Sequence, residues 1–360
     1  MTEPNDRPAV PYRLARVGTV MVPEAGRPEE DEGVLNPASG YGPDGRLYLL
    51  PRVVARGNYS RVGLAEVVLD NGVPVSVERR GIVLEPDEGW ERGVDHGGVE
   101  DPRITWVPDL GVHVMTYVAF GPIGPRLALA SSADLRSWRR LGPVLFGYEP
   151  ELRLDLNLFP NKDAVFFPEP VPGPDGEPCW AMLHRPMWDL GWIRAGEVDV
   201  LPAGLDDPRP GIWISYVPVA EVGKDVSRLV RLSGHRLVAL PQYPYEAAKI
   251  GAGPPPRRVA EGWLLLHHGV SGKLPHNTSF EPTQGLVYSA GAMILSADDP
   301  GTVVARTSEP LMHPDTPDER VGTVSNVVFP TCTEETSAGT CVFYGMADAR
   351  IGVARLDRVD

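Results

Sequence analysis

The sequence predicts an all-β protein built from a repeated strand unit. Glycine and proline stand at 39 residues each in a chain of 360, a content that suits many short strands joined by tight turns. Short β-type segments recur along the chain, and none carries a helical period longer than about three turns. The segments also return in a similar order, roughly every 70 residues.

In chain order the β-type segments are Arg46–Val54, Val62–Leu69, Val112–Phe120, Arg126–Ser131, Trp180–His184, Ile212–Val217, Gly262–His268, Thr340–Gly345 and Ile351–Leu356. In several pairs a strand ends in bulky apolar residues, a turn follows, and a strand of small and apolar residues comes next. A short polar stretch such as Ser132–Trp138 then closes the unit. The regions near 46–69, 112–131, 180–217, 262–295 and 340–356 each read as one such unit. That size suits one blade of a β-propeller. A two-sheet β-sandwich is the alternative, and composition does not separate them. Residues 1–32, rich in Pro, Glu and Asp, read as an extended lead-in, and 33–360 as a single domain, long enough to bury a full core.

With 42% hydrophobic and 23% charged residues the composition is that of a globular protein, which excludes disorder. The net charge is −14 and no long run of Lys or Arg occurs. Nucleic acid and anionic membrane are therefore not expected as partners, and any anion site must be assembled by the fold from a few basic residues. The N-terminal stretch has no apolar signal-peptide core and no segment is apolar enough to span a bilayer, so a cytoplasmic protein is expected. Cys179, Cys332 and Cys341 make an odd count without a CxxC pair. Reduced thiols are expected, not a disulfide framework or a structural zinc.

General acid catalysis needs a carboxylic acid within reach of the leaving group. The stretch GGVEDPRI (Gly97–Ile104) offers two, Glu100 and Asp101. Neighbours in a regular strand face opposite ways, so only one of them is expected to point into a given pocket. The competing reading is a surface turn with an Asp–Arg ion pair. Basic residues also lie inside apolar segments: Lys162, His184 with Arg185, and His267 with His268. Lys and Arg are seldom buried without an anionic partner. Each alone reads as a structural ion pair; several together in an acidic protein suggest a converging anion site. Ile250–Pro256 (IGAGPPP) has neither the lysine of a Walker loop nor GxGxxG spacing, and reads as a rigid loop that shapes a pocket. Asp348 stands between two β-type segments and by itself reads as a turn aspartate. No GxSxG supports a serine nucleophile. No HExxH or ligand-spaced cluster accompanies the histidines, so no metal is expected.

Taken in order, these stretches resemble glycoside hydrolase family 130, the β-mannoside phosphorylases and related mannosidases. The matching motifs are NPASG from Asn36, LLPRVVARG from Leu49, GGVEDPRI from Gly97, RLALASSADLRSW from Arg126, NKDAVFFPE from Asn161 and MLHRP from Met182. They continue with GIWISYV from Gly211, KIGAGPPP from Lys249, WLLLHHGV from Trp263, YSAGAMILSADDP from Tyr288, SNVVFP from Ser325 and YGMADARIG from Tyr344. The chain departs from the pattern at His267, where many members have tyrosine, at Ser325, and in the MADA of residues 346–349. Gly121–Gly124 also lacks obvious sugar-binding side chains.

The resemblance implies a five-bladed β-propeller with its active site at the central opening. It implies Asp101 as the proton donor, sugar contacts at Asn36, Arg52, Arg56, Glu100 and Asp348, and phosphate contacts at Lys162, Arg185 and His268. Phosphate is already a nucleophilic anion: it needs no base, but it needs cations to hold it near an acid pair. The expected activity is therefore inverting phosphorolysis of β-manno-oligosaccharides, with inorganic phosphate as co-substrate, no cofactor, and α-mannose 1-phosphate as product. An inverting β-mannosidase is the alternative; it needs a second carboxylate about 6.5–9.5 Å away, for which Glu169 and Asp163 are the candidates. A non-catalytic sugar-binding propeller is the third reading. Linkage, acceptor sugar and assembly into a homo-oligomer are left open by the sequence.

Overall fold

The recurring turn residues cut the chain into short strands. The computed structural model describes residues 9–93, 96–189, 200–273 and 285–359. The chain enters through β1 (Tyr12–Met21) and then forms antiparallel units. The first is β2 (Gly33–Tyr41), β3 (Leu47–Ala55), β4 (Tyr59–Asp70) and β5 (Val73–Leu84). The second is β6 (Gly97–Val107), β7 (Val112–Gly121), β8 (Gly124–Ser132) and β9 (Arg139–Pro143). After the short β10 (Leu145–Phe146), the third contains β11 (Asn161–Phe166), β12 (Val171–Pro172), β13 (Pro178–Pro186), β14 (Ile212–Pro218) and β15 (Arg231–Ala239). The fourth is β16 (Lys249–Ala252), β17 (Arg257–Val259), β18 (Gly262–Ser271), β19 (Val287–Leu295) and β20 (Val303–Arg306). The fifth is β21 (Val328–Thr336), β22 (Gly339–Met346) and β23 (Arg350–Arg358). The α-helices among the described residues are two single turns, α1 (Val219–Val222) and α2 (Pro317–Arg320). Each β-type segment expected from the sequence falls within a strand, apart from Arg46, which precedes β3.

The expected lead-in contributes a strand of its own. β1 pairs antiparallel with β23, from Tyr12 opposite Arg358 to Met21 opposite Ile351. The fifth unit thus takes its outer strand from the start of the chain. The first two units meet in one sheet through the parallel pairs Tyr59–Gly97 and Ser60–Gly98.

The apolar core lies between successive units rather than inside any one. Leu50 and Val62 of the first pack with Met115 and Ala128 of the second. Val118 and Leu127 of the second pack with Trp180 and Trp213 of the third. Leu183 and Ile214 of the third meet Trp263 and Met293 of the fourth. Leu264 and Ala292 of the fourth meet Val342 of the fifth. Phe343 and Val353 of the fifth meet Leu47 and Val53 of the first. No single unit can bury its own apolar face, so the units stabilise one another by exclusion of water. Cys179, Cys332 and Cys341 are free and buried. Among the described residues no helix is long and apolar enough to cross a membrane.

Candidate active site

The first strand of a unit carries the polar motifs, and three of these strands break register at the same place. The breaks fall between Leu35 and Ala38 in β2, Glu100 and Arg103 in β6, and Lys162 and Val165 in β11. At each, one residue adopts left-handed backbone: Asn36 (φ 42°), Asp101 (φ 47°) and Asp163 (φ 55°). Asn and Asp tolerate this region better than other side chains. A bulge re-aims the side chains around it. The expectation that only one of Glu100 and Asp101 faces the pocket therefore fails, because the strand is not regular there.

Both carboxylates converge on Arg52 of β3. Its Nη2 donates to Glu100 Oε1 at 2.8 Å and its Nη1 to Asp101 Oδ1 at 3.2 Å. Arg52 is itself fixed by donating to Ser60 Oγ and Asn58 Oδ1. Asn36 Nδ2 donates to the same Asp101 oxygen at 2.8 Å. Lys162 Nζ lies 3.3 Å from Glu100 Oε2 and 3.8 Å from Asp101 Oδ2. Burial works against the charge on Asp101, but Arg52, Lys162 and Arg103 outweigh it and hold the carboxyl at about 2. Asp348, again on left-handed backbone (φ 48°), goes the other way: burial pushes it up to about 6, the nearby Asp101 and Glu100 adding to the push and Arg52 and Lys162 opposing it. The site thus holds two carboxyls whose environments drive them apart, one ionised and one close to neutral pH.

A cationic region adjoins this pair. Arg185 Nε donates to Asp163 Oδ2 at 2.6 Å, while its Nη1 is buried without a hydrogen-bond partner. Burial disfavours the charge on Asp163, but Arg185 and His268 hold the carboxyl well below the usual range. Lys249, at the start of β16, lies with Nζ 5.3 Å from the centre of the Tyr288 ring. Burial lowers its ammonium to about 7, and the charges of Arg185 and Lys162 add to that shift. Gly251 explains how these strands come so close: a Cβ there would collide with the Asp163 carboxylate and the His268 ring. The segment read from sequence as a rigid loop is thus partly a strand, and Lys249, the cation it carries, was missed. Its signal was a lysine next to a glycine-rich stretch in a chain already suspected of an anion site.

Asn36, Arg52, Glu100, Asp101, Lys162 and Asp348 form one electrostatically linked group, with Arg185 joined to it through Lys249. Arg56 is exposed on the turn after β3, outside this group. His268 adjoins the cationic region: it packs on Phe329, its Nε2 is 3.3 Å from Asp163, and its Nδ1 is buried without a hydrogen-bond partner. Burial pushes its imidazole down to about 4 despite Asp163. In the empty site it meets Asp163 as an uncharged ring. His184 belongs to a buried chain with Asn161, Ser215 and His235, and His267 is bound to Glu246. Of the two carboxylates considered as a second hydrolytic group, Asp163 is locked by Arg185. Glu169 lines a different cavity, described below. Among the described residues no group of three or more His, Cys, Asp and Glu side chains could hold a metal ion.

Comparison with known proteins identifies the family. Residues 224–359 match the family model described as beta-1,4-mannooligosaccharide phosphorylase. The chain is 30% identical over 347 residues to the 1,2-beta-oligomannan phosphorylase of Thermoanaerobacter sp. (strain X514), covering 95% of each chain. It is 39% identical over 287 residues to the beta-1,4-mannooligosaccharide phosphorylase of Ruminococcus albus, covering 79% of this chain and 70% of that one. The beta-1,2-mannobiose phosphorylase of Listeria innocua, solved with beta-1,2-mannobiose, superposes with a TM-score of 0.68 at 20% identity over 97% of both chains. A glycosyl hydrolase from Bacteroides ovatus superposes with a TM-score of 0.72 at 21% identity over 99% of both. Fold and site together define a carbohydrate-active enzyme. The chain belongs to glycoside hydrolase family 130.

Proposed function

We propose that the protein is an inverting β-mannoside phosphorylase on a five-bladed β-propeller. The propeller reading is supported by the cyclic order of the core contacts, in which the fifth unit packs back on the first and β1 completes it. The relatives named above act on β-1,2- and β-1,4-linked mannosides, and we take this chain's substrate from the same class.

The observation that carries phosphorolysis is the surplus of cations beside the acid pair. Lys249 is depressed because it is buried near Arg185 and Lys162, and Arg185 keeps an unpartnered buried N–H. Such a donor is costly unless an acceptor arrives. A phosphate dianion would satisfy these groups and stand ready to attack the anomeric carbon. Attack from the face opposite the leaving oxygen turns the β-mannoside into the α-phosphate. Asp101 gives its proton toward the leaving oxygen, through a mannose hydroxyl as the family resemblance implies. The proton balance closes without water: hydrogen phosphate brings one proton, and the released sugar keeps one. Asp101 is ionised in the empty site, so loading of its proton accompanies substrate binding. Asn36, Arg52 and Glu100 hold the donor and the sugar in place, and Asp348 offers a carboxyl for sugar hydroxyls.

Phosphate titration tests this reading. Charge-assisted hydrogen bonds contribute about 1.5–3 kcal/mol, so Arg185→Ala should raise the phosphate KM by roughly 10- to 150-fold with little change in mannoside binding. A wild-type rate independent of phosphate would overturn the phosphorylase and leave the mannosidase.

A further inference from the structure

A cavity of about 920 Å³ opens at the other end of the strands that carry the active site. On β6, Asp101 belongs to the site and Trp106 to the cavity; five residues of strand separate them by at most about 16 Å. Between them lies Arg103, 1% exposed, donating to Gly253 O at 3.1 Å and Asp101 O at 3.2 Å, with its guanidinium 5.2 Å from the Phe329 ring. None of the acid-pair residues lines the cavity.

We infer that this cavity is a second carbohydrate site, which takes a neutral oligosaccharide against Trp106 and Tyr41. Trp106 is 45% and Tyr41 38% exposed, although both line a concave surface. The Trp106 indole is steadied by His113, ring centres 4.6 Å apart, and Tyr41 by donating its hydroxyl to Glu335 O. Fixed aromatic faces with adjacent acids suit a sugar, whose C–H face stacks while its hydroxyls find hydrogen bonds. Glu334 supplies such a group. It accepts from Ser39 Oγ at 2.7 Å. Burial pushes it up to about 7, Ser39 working against the shift and Glu335 with it. Near neutral pH it can both donate to and accept from hydroxyls. Six prolines line the wall and fix its backbone, so little ordering is needed on binding. The acids Asp109, Glu169, Glu334 and Glu335 outnumber Arg257 and Arg258, which disfavours phosphate and separates this chemistry from that of the catalytic side.

The inference rests on the proposed function for its probe, a β-linked mannotetraose, and for the active-site event and turnover that serve as controls. The probe is titrated calorimetrically, without phosphate, into the full chain carrying Asp101→Asn. Two binding events are expected. Adding Trp106→Ala should weaken one of them by about five- to tenfold and spare the other, and Glu334→Gln should act on the same event. In an otherwise native chain, Trp106→Ala should leave mannobiose turnover within about twofold, which shows the fold intact. A single event untouched by either substitution overturns the second site while leaving the phosphorylase reading in place. No binding at all also overturns it, whereas the phosphorylase reading stands or falls on phosphate-dependent product formation.

Discussion

Asp101 occupies left-handed backbone directly before Pro102, where a residue is pushed toward extended geometry. Such strain costs about 1–3 kcal/mol and persists because Asn36, Arg52 and Lys162 hold the carboxylate from three sides. Asparagine keeps the shape and tolerates the backbone. Asp101→Asn should therefore retain the native melting curve and lose about 10²–10⁴-fold in kcat; a variant turning over near the wild-type rate would remove Asp101 from the mechanism. Lys249 makes a second prediction. Its ammonium titrates at about 7 in the empty site, and only the charged form assists an anion. The phosphate KM should rise by up to about tenfold per pH unit above 7, and Lys249→Arg, which stays charged, should flatten that rise. A phosphate KM with the same pH dependence in both proteins would place Lys249 outside the anion site. The EDPR acids were legible because a proline-flanked acid pair is distinctive. Lys249 was not, because its neighbours GAGPPP read as a loop.

At the scale of elements, the outer strands declared themselves and the inner ones did not. Runs such as Trp263–Leu266 or Val112–Phe120 are apolar, aromatic or β-branched enough to read as strands. β2, β6 and β11 instead carry Asn-Pro, Asp-Pro and Lys-Asp at their bulges, so their motifs read as turns with charges. The physical reason is that a strand bent to present two acids must break the alternation by which strands are recognised. The lead-in was hidden differently. β1 has several exposed residues, and its role depends on β23, more than 300 residues away in sequence. Its Arg16 reaches across to Glu319, donating from Nε to Oε1 at 2.8 Å. The Glu319 side chain is fully buried and also accepts from Tyr344 and the backbone of Asp315 and Thr316. Arg16→Ala leaves that carboxylate short of a cation and should lower stability by ~1–3 kcal/mol, visible as a lower Tm with kcat/KM unchanged. An unchanged Tm would show that β1 is not held by this pair.

Across the whole molecule, one architecture serves two ends. The five units bury their apolar faces only against each other. Strands of several units and the turn between β22 and β23 bring residues from Asn36 to Asp348 into one charged group in a protein whose overall charge is −14. The repeat of units was legible from the spacing of strand pairs; the closing contact between the fifth and first units was not, since it joins the two ends of the sequence. In the proposed mechanism the cations beside Asp101 hold phosphate as the nucleophile. The direct measurement follows β-mannobiose and inorganic phosphate with the enzyme by phosphorus and proton magnetic resonance. Inorganic phosphate should be consumed as α-mannose 1-phosphate appears, one for each bond cleaved, with no cleavage when phosphate is omitted. Free mannose released at the same rate without phosphate, or a β-phosphate as the first product, would contradict it.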